Sequence, residues 1–351
     1  MEYITLSKND PEFDSYLRGT FSATHRALPV ETYHPETARE RVTFRVVPLQ
    51  NVQTPAWWKI YFWSSRPELL PLTLGPAVAA WLNGHARLQE WALWPSWFAL
   101  AGIFFLHMSV FLFNDVQDHV RGFDRLNRRR GSQVIQNGWV AAIEMQRWAI
   151  VNLLLAVLFG VPAYLNAPVE LTAVCALTTL SLVILAGNRL ARWGASDLAL
   201  GLVFGPLLTS GVALASFGQS NSADIILGLA FGGLSVWVLQ MRQLENLFRS
   251  KPEGFRTALG YWDFDWTRVL GVTEGGALLI AQPLAAYALG VSLKMMILLP
   301  LACVPTVLLM NRLWKASSPL ASTLVRSDRW ALGAHMSWTA WWILALGAQW
   351  L

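Results

Sequence analysis

Nine long apolar segments, separated by short loops, dominate this chain. They lie at residues 67–84, 95–115, 146–165, 168–187, 196–216, 224–244, 269–290, 293–311 and 331–350. A helix needs about 20 apolar residues to cross the roughly 30 Å of hydrocarbon in a membrane, and each segment comes close to that length. Only 14% of the residues are charged, whereas soluble proteins average about 25%. The pattern predicts an all-α integral membrane protein, a bundle of nine transmembrane helices.

Lys and Arg are distributed unevenly over the loops. Seventeen of them lie in loops that follow even-numbered segments, and the opposite loops hold only Arg87 and Lys294. Because cytoplasmic loops carry the excess of basic residues, the N-terminus is expected in the cytoplasm and the C-terminus outside. A bacterial inner membrane is the expected location. The net charge of +5 follows from this topology, so a nucleic-acid partner is excluded.

Residues 1–55 differ from the rest of the chain because they contain no apolar run. They also lack the basic start and apolar stretch of a signal peptide. We therefore predict a cytosolic N-terminal extension over 1–55, at most partly ordered, followed by a transmembrane domain over 56–351. Residues 42–47 are expected to form a short strand or an interfacial piece. The extension is a candidate docking arm for a protein partner.

Acidic residues are rare in the apolar part of the chain, yet several gather at the end of the second segment. The stretch FLFNDVQDHVRGFDR contains Asn114, Asp115, Asp118 and Asp124. The first three share one face of a helix, and Gly122 is expected to end that helix so that Asp124 folds back. Carboxylate and amide oxygens suit Mg²⁺, which bridges to substrate phosphates. The alternative is a solvated helix end.

A basic run, RLNRRR, follows this acidic group and includes Arg128. Its guanidinium groups are candidates for binding phosphate oxygens that a metal does not engage. The alternative is that they are ordinary cytoplasmic-side positive charges.

The acidic stretch resembles a known motif. NDVQDHVRGFD is similar to the NDxxDxxxD-type motif of the UbiA superfamily of intramembrane prenyltransferases. GFD and the downstream GSQVIQNGWV resemble the menaquinone-type branch, the 1,4-dihydroxy-2-naphthoate prenyltransferases. RPELLPLTLGPA, RWGASDLALGLVFGP and GFRTALG resemble further family landmarks in the same order. The resemblance covers residues 60–350 and leaves out the N-terminal extension.

The resemblance implies a nine-helix bundle with a central cavity open to the cytoplasmic side and to lipid. It implies Mg²⁺-dependent transfer of a prenyl group from a prenyl diphosphate to an aromatic, quinone-precursor-like acceptor. The implied catalytic residues are Asn114, Asp115 and Asp118, and the implied metal ligands are these three with Asp124. The candidate acceptor and cavity residues are Arg66, Arg189, Asp197 and Glu274. For Asp197 a simple salt bridge is the alternative, and for Glu274 a neutral acid in the helix core.

The second acidic motif of the family is degenerate in this chain. Alignment on GFRT places Gln243 and Leu247 where the family normally has aspartates. Arginine would then supply positive charge that a second metal cannot. The candidate diphosphate-binding residues are Arg242, Gln243, Arg249, Arg256 and Arg128.

Two other functions stay open at this point. One is an intramembrane terpene cyclase on the same scaffold. The other is a catalytically degenerate UbiA-like subunit that binds lipid or a quinone in a membrane complex.

Overall fold

The structure is a computed structural model that describes residues 2–35, 37–126, 131–186, 195–246, 264–318 and 321–350. Its contacts divide the chain into a first unit, Met1–Pro67 with Phe104–Val157, and a second unit, Glu68–Ile103 with Leu158–Leu351. The helices are α1 (Phe13–Arg18), α2 (Trp57–Ser64), α3 (Leu70–Leu88), α4 (Leu93–Arg121), α5 (Phe123–Leu126), α6 (Ala142–Tyr164), α7 (Pro168–Ala186), α8 (Ala195–Leu202), α9 (Leu208–Phe217), α10 (Ser222–Asn246), α11 (Phe264–Ala288), α12 (Leu293–Met296), α13 (Leu299–Trp314) and α14 (Ser327–Gly347).

The first unit begins with a three-stranded antiparallel sheet. Its strands are β1 (Glu2–Ser7), β2 (His25–Tyr33) and β3 (Arg41–Pro48). The central strand is β3, which pairs with β1 on one side and β2 on the other. Apolar and polar residues alternate at the start of β3, so Val42 and Phe44 point to the same face and are fully buried.

Helix α1 covers that buried face of the sheet. Phe13 and Leu17 of α1 pack against Val42 and Phe44 in one apolar cluster. Gly19 ends α1 in the left-handed conformation, with φ of 75°, which glycine adopts without steric cost. The expected strand over 42–47 is confirmed. The expectation that residues 1–55 are at most partly ordered is wrong, because a short alternating strand and one helix turn together enclose a small core.

A second apolar cluster in the first unit fixes the end of α4. It joins α2, the last turns of α4, the loop before α6 and the start of α6. Its buried members are Ile60, Leu112, Val116, Val134, Ile135, Val140, Ala142, Met145 and Ala149. Leu112 and Val116 are four residues apart and lie on one face of α4. This packing fixes the orientation of α4, and with it the positions of Asn114 and Asp115 between these two residues.

In the second unit, buried polar side chains tie helices together. Gln282 of α11 donates to the carbonyl of Ala230 in α10 (2.9 Å) and accepts from the indole of Trp342 in α14 (2.7 Å). Between α8 and α9, residues Val203–Leu207 form a π-helical turn around Pro206. Such polar contacts and broken helices are tolerated at membrane depth where neighbouring helices satisfy the backbone.

The helices are those of an integral membrane protein. Within the described part of the chain, six helical segments are long and apolar enough to span a membrane, and two of them join consecutive helices, α8 with α9 and α12 with α13. They are Leu93–Arg121, Ala142–Tyr164, Ala195–Phe217, Ser222–Arg242, Phe264–Ala288 and Leu293–Trp314. A shorter apolar helix covers Pro168–Leu182. Helices cover almost all of the described residues of the nine predicted segments. Because α3 and α14 are less apolar than the six segments above, the number of nine membrane spans stays a prediction.

Candidate functional site

The end of α4 carries the candidate site, as the acidic stretch predicts. Helix α4 ends at Arg121, and Gly122 follows with φ of 92°. The amide of Gly122 donates to the carbonyl of His119 at 3.1 Å. This glycine therefore ends the helix, as expected, and the chain turns directly into α5. Asp124 lies two residues after Gly122 and is only 1% exposed. Its charge interacts with Arg66, the partner of Asp115 in α4.

Three side chains of the last turns of α4 are held by hydrogen bonds. The amide of Asn114 donates to the carboxylate of Asp118 at 2.9 Å. Asp115 accepts from the guanidinium of Arg66 and, at 3.3 Å, from the backbone amide of Ser132. Asp115 is 2% exposed and Asp118 is 8% exposed. Carboxylates buried to this degree at the end of a membrane helix are costly, which favours a functional role.

A glycine in the following loop leaves room for the carboxylate of Asp124. Gly131 has φ of 70°, and a Cβ added to it would lie 2.3 Å from Oδ2 of Asp124. A side chain at this position would force the carboxylate of Asp124 to move and would also strain the backbone, so the position favours glycine. The loop therefore packs its backbone directly against the acidic group.

Arg66 pairs with Asp115, and its charge also interacts with the carboxylates of Asp118 and Asp124. Burial lowers the pKa of Arg66, but the carboxylates of Asp115, Asp124 and Asp118 outweigh that effect and leave the pKa above its ordinary value. The guanidinium also lies 5.8 Å from the ring centre of Phe111. Arg66 has a positive φ of 50°, a conformation that a non-glycine residue keeps only where its surroundings fix it. The structure thus pairs this candidate acceptor residue with Asp115.

The oxygen atoms of Asn114, Asp115, Asp118 and Asp124 are the kind of ligand that Mg²⁺ binds. Within the residues that the structure describes, no three His, Cys, Asp or Glu side chains are placed to hold a metal ion together. Mg²⁺ needs fewer protein ligands than that, because it binds through one or two carboxylates, several waters and substrate phosphates. Arg66 carries one positive charge among three carboxylates. The site therefore fits Mg²⁺ shared with a phosphate, and the ligand set of Asn114, Asp115, Asp118 and Asp124 stays a prediction.

Several predicted site residues lie outside the described part of the chain. They are Arg128, Arg189, Arg249, Arg256 and the side chain of Gln243. Arg242 is described and is partly buried near the end of α10. The roles predicted for these residues stay predictions.

The second unit brings the other two predicted residues together. Asp197 in α8 and Glu274 in α11 both form side-chain hydrogen bonds with Gln240 of α10, which is 3% exposed. The two carboxyl groups are also close enough to interact electrostatically. The sequence places Gln240 only beside the degenerate second motif, and no local spacing indicates that it bridges two acids from different helices.

Solved structures provide the comparison that decides the fold. No protein-family model matches the chain, and no curated protein matches it. A structure described as digeranylgeranylglyceryl phosphate synthase in membranes is 15% identical, with a TM-score of 0.57 over 82% of this chain and 98% of the other. A UbiA homolog from Archaeoglobus fulgidus bound to GPP and Mg²⁺ is 14% identical, with a TM-score of 0.52 over 83% and 99%. This chain has a UbiA-like fold.

A second structure of a UbiA homolog from Archaeoglobus fulgidus, bound to DMAPP and Mg²⁺, is also similar. It is 14% identical, with a TM-score of 0.57 over 82% of this chain and 99% of the other. The expected UbiA-like architecture is therefore confirmed at the level of the fold. Nearly the whole of each neighbour is matched, whereas somewhat less than a fifth of this chain has no counterpart. The menaquinone-type branch stays a prediction.

Proposed function

We propose that this protein is a Mg²⁺-dependent intramembrane prenyltransferase. The observation that carries the proposal is the buried acidic group of Asp115, Asp118 and Asp124, with Arg66 paired to Asp115. It lies on a fold shared with UbiA homologs solved with GPP or DMAPP and Mg²⁺. We propose a prenyl diphosphate as the donor and an aromatic, quinone-precursor-like molecule as the acceptor.

The proposed reaction breaks the bond between the allylic carbon and the diphosphate oxygen, and the diphosphate leaves with the electron pair. A ring carbon of the acceptor then bonds to the allylic carbon, and the ring proton is lost. Asn114, Asp115, Asp118 and Asp124 would hold Mg²⁺, which would supply positive charge to the diphosphate. Asn114 orients Asp118, and Arg66 orients Asp115. These contacts hold the metal-binding oxygens in place before substrate arrives.

We assign acceptor binding to the acids of the second unit. The Asp197 and Glu274 carboxyl groups share the Gln240 amide. A carboxylate in that position can accept a hydrogen bond from a phenolic hydroxyl of the acceptor. Oε2 of Glu274 is buried and has no hydrogen-bond partner among the described residues, which leaves an acceptor atom for such a group.

Arginines are proposed to replace the second metal. Gln243 and Leu247 cannot bind a cation as aspartates do, but arginine neutralises phosphate charge directly. Arg242 directly precedes Gln243, and Arg249 and Arg256 follow Leu247. Gln243 would donate to a phosphate oxygen or bind a metal-bound water.

The degenerate motif also supports a second candidate function. A UbiA-like protein that lost one metal site and gained a folded N-terminal sheet is a candidate lipid- or quinone-binding subunit of a membrane complex. This alternative predicts binding of an isoprenoid without metal-dependent turnover.

Product analysis separates these functions. The purified protein is incubated with labelled geranylgeranyl diphosphate, Mg²⁺ and a panel of aromatic acceptors. A coupled product supports the prenyltransferase, an acceptor-free hydrocarbon supports a terpene cyclase, and no metal-dependent turnover supports the binding subunit. Asp118→Asn is expected to abolish turnover, whereas Asp14→Asn, at an exposed acid of α1, keeps the wild-type rate. Full activity of Asp118→Asn would contradict the metal assignment.

The proposed location is a bacterial inner membrane with the N-terminus in the cytoplasm and the C-terminus outside. The uneven distribution of Lys and Arg supports this orientation. Reporter fusions at both ends test it. A cytoplasmic signal from the C-terminal fusion would contradict the proposed topology.

A further inference from the structure

The N-terminal sheet is joined to the acidic group by a buried ion pair. Glu40, just before β3, accepts from Nη2 of Arg125 at 2.6 Å. The Arg125 side chain has no exposed surface, and the Glu40 side chain is 3% exposed. The two residues are 85 positions apart. Breaking a buried pair is costly, since one charge is left without compensation, so this contact ties two distant parts of the first unit.

Arg125 connects that pair to the motif itself. It directly follows Asp124 in α5 and donates to the carbonyls of His119 (2.9 Å) and Val120 (3.0 Å) at the end of α4. Carbonyls at the C-terminal end of a helix lack helical partners and favour cations. Arg125 therefore fixes α5 against α4 while Glu40 fixes Arg125.

Other contacts hold the same turn from the N-terminal side. The backbone carbonyl of Leu17 contacts Nε2 of the buried His119 at 3.0 Å. A Cβ added to Gly122 would lie 3.0 Å from Cβ of Pro35. The turn that leads to Asp124 is therefore enclosed by α1 and by the chain after β2.

The N-terminal segment also holds the chain beyond the acidic group. Arg26 of β2 pairs with Glu144 at the start of α6, at 2.7 Å. A Cβ on Gly138 would lie 2.5 Å from Cδ2 of Leu28. The N-terminal segment therefore contacts the chain both at residues 122–125 and at residues 138–144. The sequence resemblance does not include this segment.

We infer that residues 2–48 are a built-in positioning element for the metal-binding group, with Glu40 acting through Arg125 to place Asp124. Glu40 is a positioning residue, because it reaches the acidic group only through Arg125. The inference rests on the proposed function, since it concerns the same acidic group. It assigns the N-terminal segment a role within its own chain.

The first test measures whether Glu40 holds the turn. Full-length protein in lipid nanodiscs is compared with Glu40→Gln, which keeps the side-chain size and removes the charge. Hydrogen exchange over residues 119–126 is expected to be at least about tenfold faster in the variant. Exchange in α14 is expected to stay at the wild-type rate, which shows that the rest of the protein remains folded. Unchanged exchange over 119–126 would overturn the inference.

The second test measures metal binding without requiring turnover. Mn²⁺, a paramagnetic ion that carboxylates also bind, is titrated by EPR in the presence of inorganic pyrophosphate. The Kd for Mn²⁺ is expected to rise about tenfold in Glu40→Gln, the lower end of the effect of residues that contact metal ligands, because Glu40 acts through Arg125. Glu40→Asp, which keeps the charge, is expected to recover part of the affinity. The matched control is Glu31→Gln, at an exposed acid of β2, with wild-type affinity expected.

The outcomes separate this inference from the proposed function. Faster exchange with unchanged Mn²⁺ affinity in Glu40→Gln would overturn it, because Glu40 would then be merely structural. A wild-type protein that does not bind Mn²⁺ would overturn it as well. Wild-type Mn²⁺ binding that weakens in Glu40→Gln, without any prenyl transfer, would support the positioning role and contradict the proposed function.

Discussion

Arg66 donates a hydrogen bond to the carboxylate of Asp115, and both side chains are buried. The two residues are 49 positions apart, so the pair joins the chain after α2 to the last turns of α4. The charge of Arg66 also interacts with the carboxylates of Asp118 and Asp124.

Arg66→Gln is expected to destabilise the protein and to increase its response to Mg²⁺. Removing the guanidinium leaves buried carboxylates uncompensated, which costs about 3 kcal/mol, and a divalent cation that binds the folded state restores part of this. Thermal unfolding in EDTA and in Mg²⁺ measures both effects. Arg18→Gln removes an exposed pair with Asp14, for which a loss of no more than ~0.5 kcal/mol is expected. An equal loss of stability in the two variants would contradict the role of Arg66 in compensating the buried carboxylates.

Gly131→Ala is expected to reduce metal-dependent turnover about 100-fold, because a methyl group would displace the carboxylate of Asp124 and ~1 Å of misplacement has effects of this size. The matched control is Gly290→Ala. Gly290 also has φ of 70°, but a Cβ there meets nothing within 4 Å. It therefore carries the backbone cost without the overlap. Steady-state kinetics at several Mg²⁺ concentrations check the prediction, and equal activity of the two variants would contradict it.

Gly228→Ala is expected to destabilise the second unit by about 1–3 kcal/mol, the usual cost of overpacking. A Cβ on Gly228 of α10 would lie 2.5 Å from Cα of Pro206. The helix backbones approach this closely because small residues allow it. Gly333→Ala in α14 is the control, since nothing lies within 4 Å of its added Cβ. Chemical unfolding in detergent measures both, and the same stability for both would refute the close approach.

Gln243→Asp is expected to preserve or raise Mg²⁺-dependent turnover, because it returns a carboxylate to the degenerate motif. The concentration of Mg²⁺ for half-maximal rate should fall, since Mg²⁺ prefers carboxylate oxygen. Gln243→Asn keeps an amide and is expected to show no such fall. An inactive Gln243→Asp, with normal turnover in Gln243→Asn, would contradict the prediction that a carboxylate at position 243 binds Mg²⁺.

Local patterns in the sequence determined the class of protein and the place of the acidic group. Apolar runs of spanning length predicted membrane helices, and α4 and α10 cover the expected segments. The spacing of Asn114 and Asp118 predicted that they meet, and their side chains do so at 2.9 Å. The predicted stop at Gly122 is also observed. These features depend on neighbours within a few residues, which is why the sequence alone reveals them.

Only the tertiary structure decided which distant residues complete that group. No period or spacing connects Glu40 with Arg125 or Arg66 with Asp115, yet both pairs are buried. The N-terminal segment, expected to be at most partly ordered, folds because β3 can pair on both edges and α1 covers its apolar face. The acidic spacing in the sequence thus located the site, whereas long-range packing supplied its cation and its support. Such packing satisfies buried charge across the fold, and no short stretch of sequence encodes it.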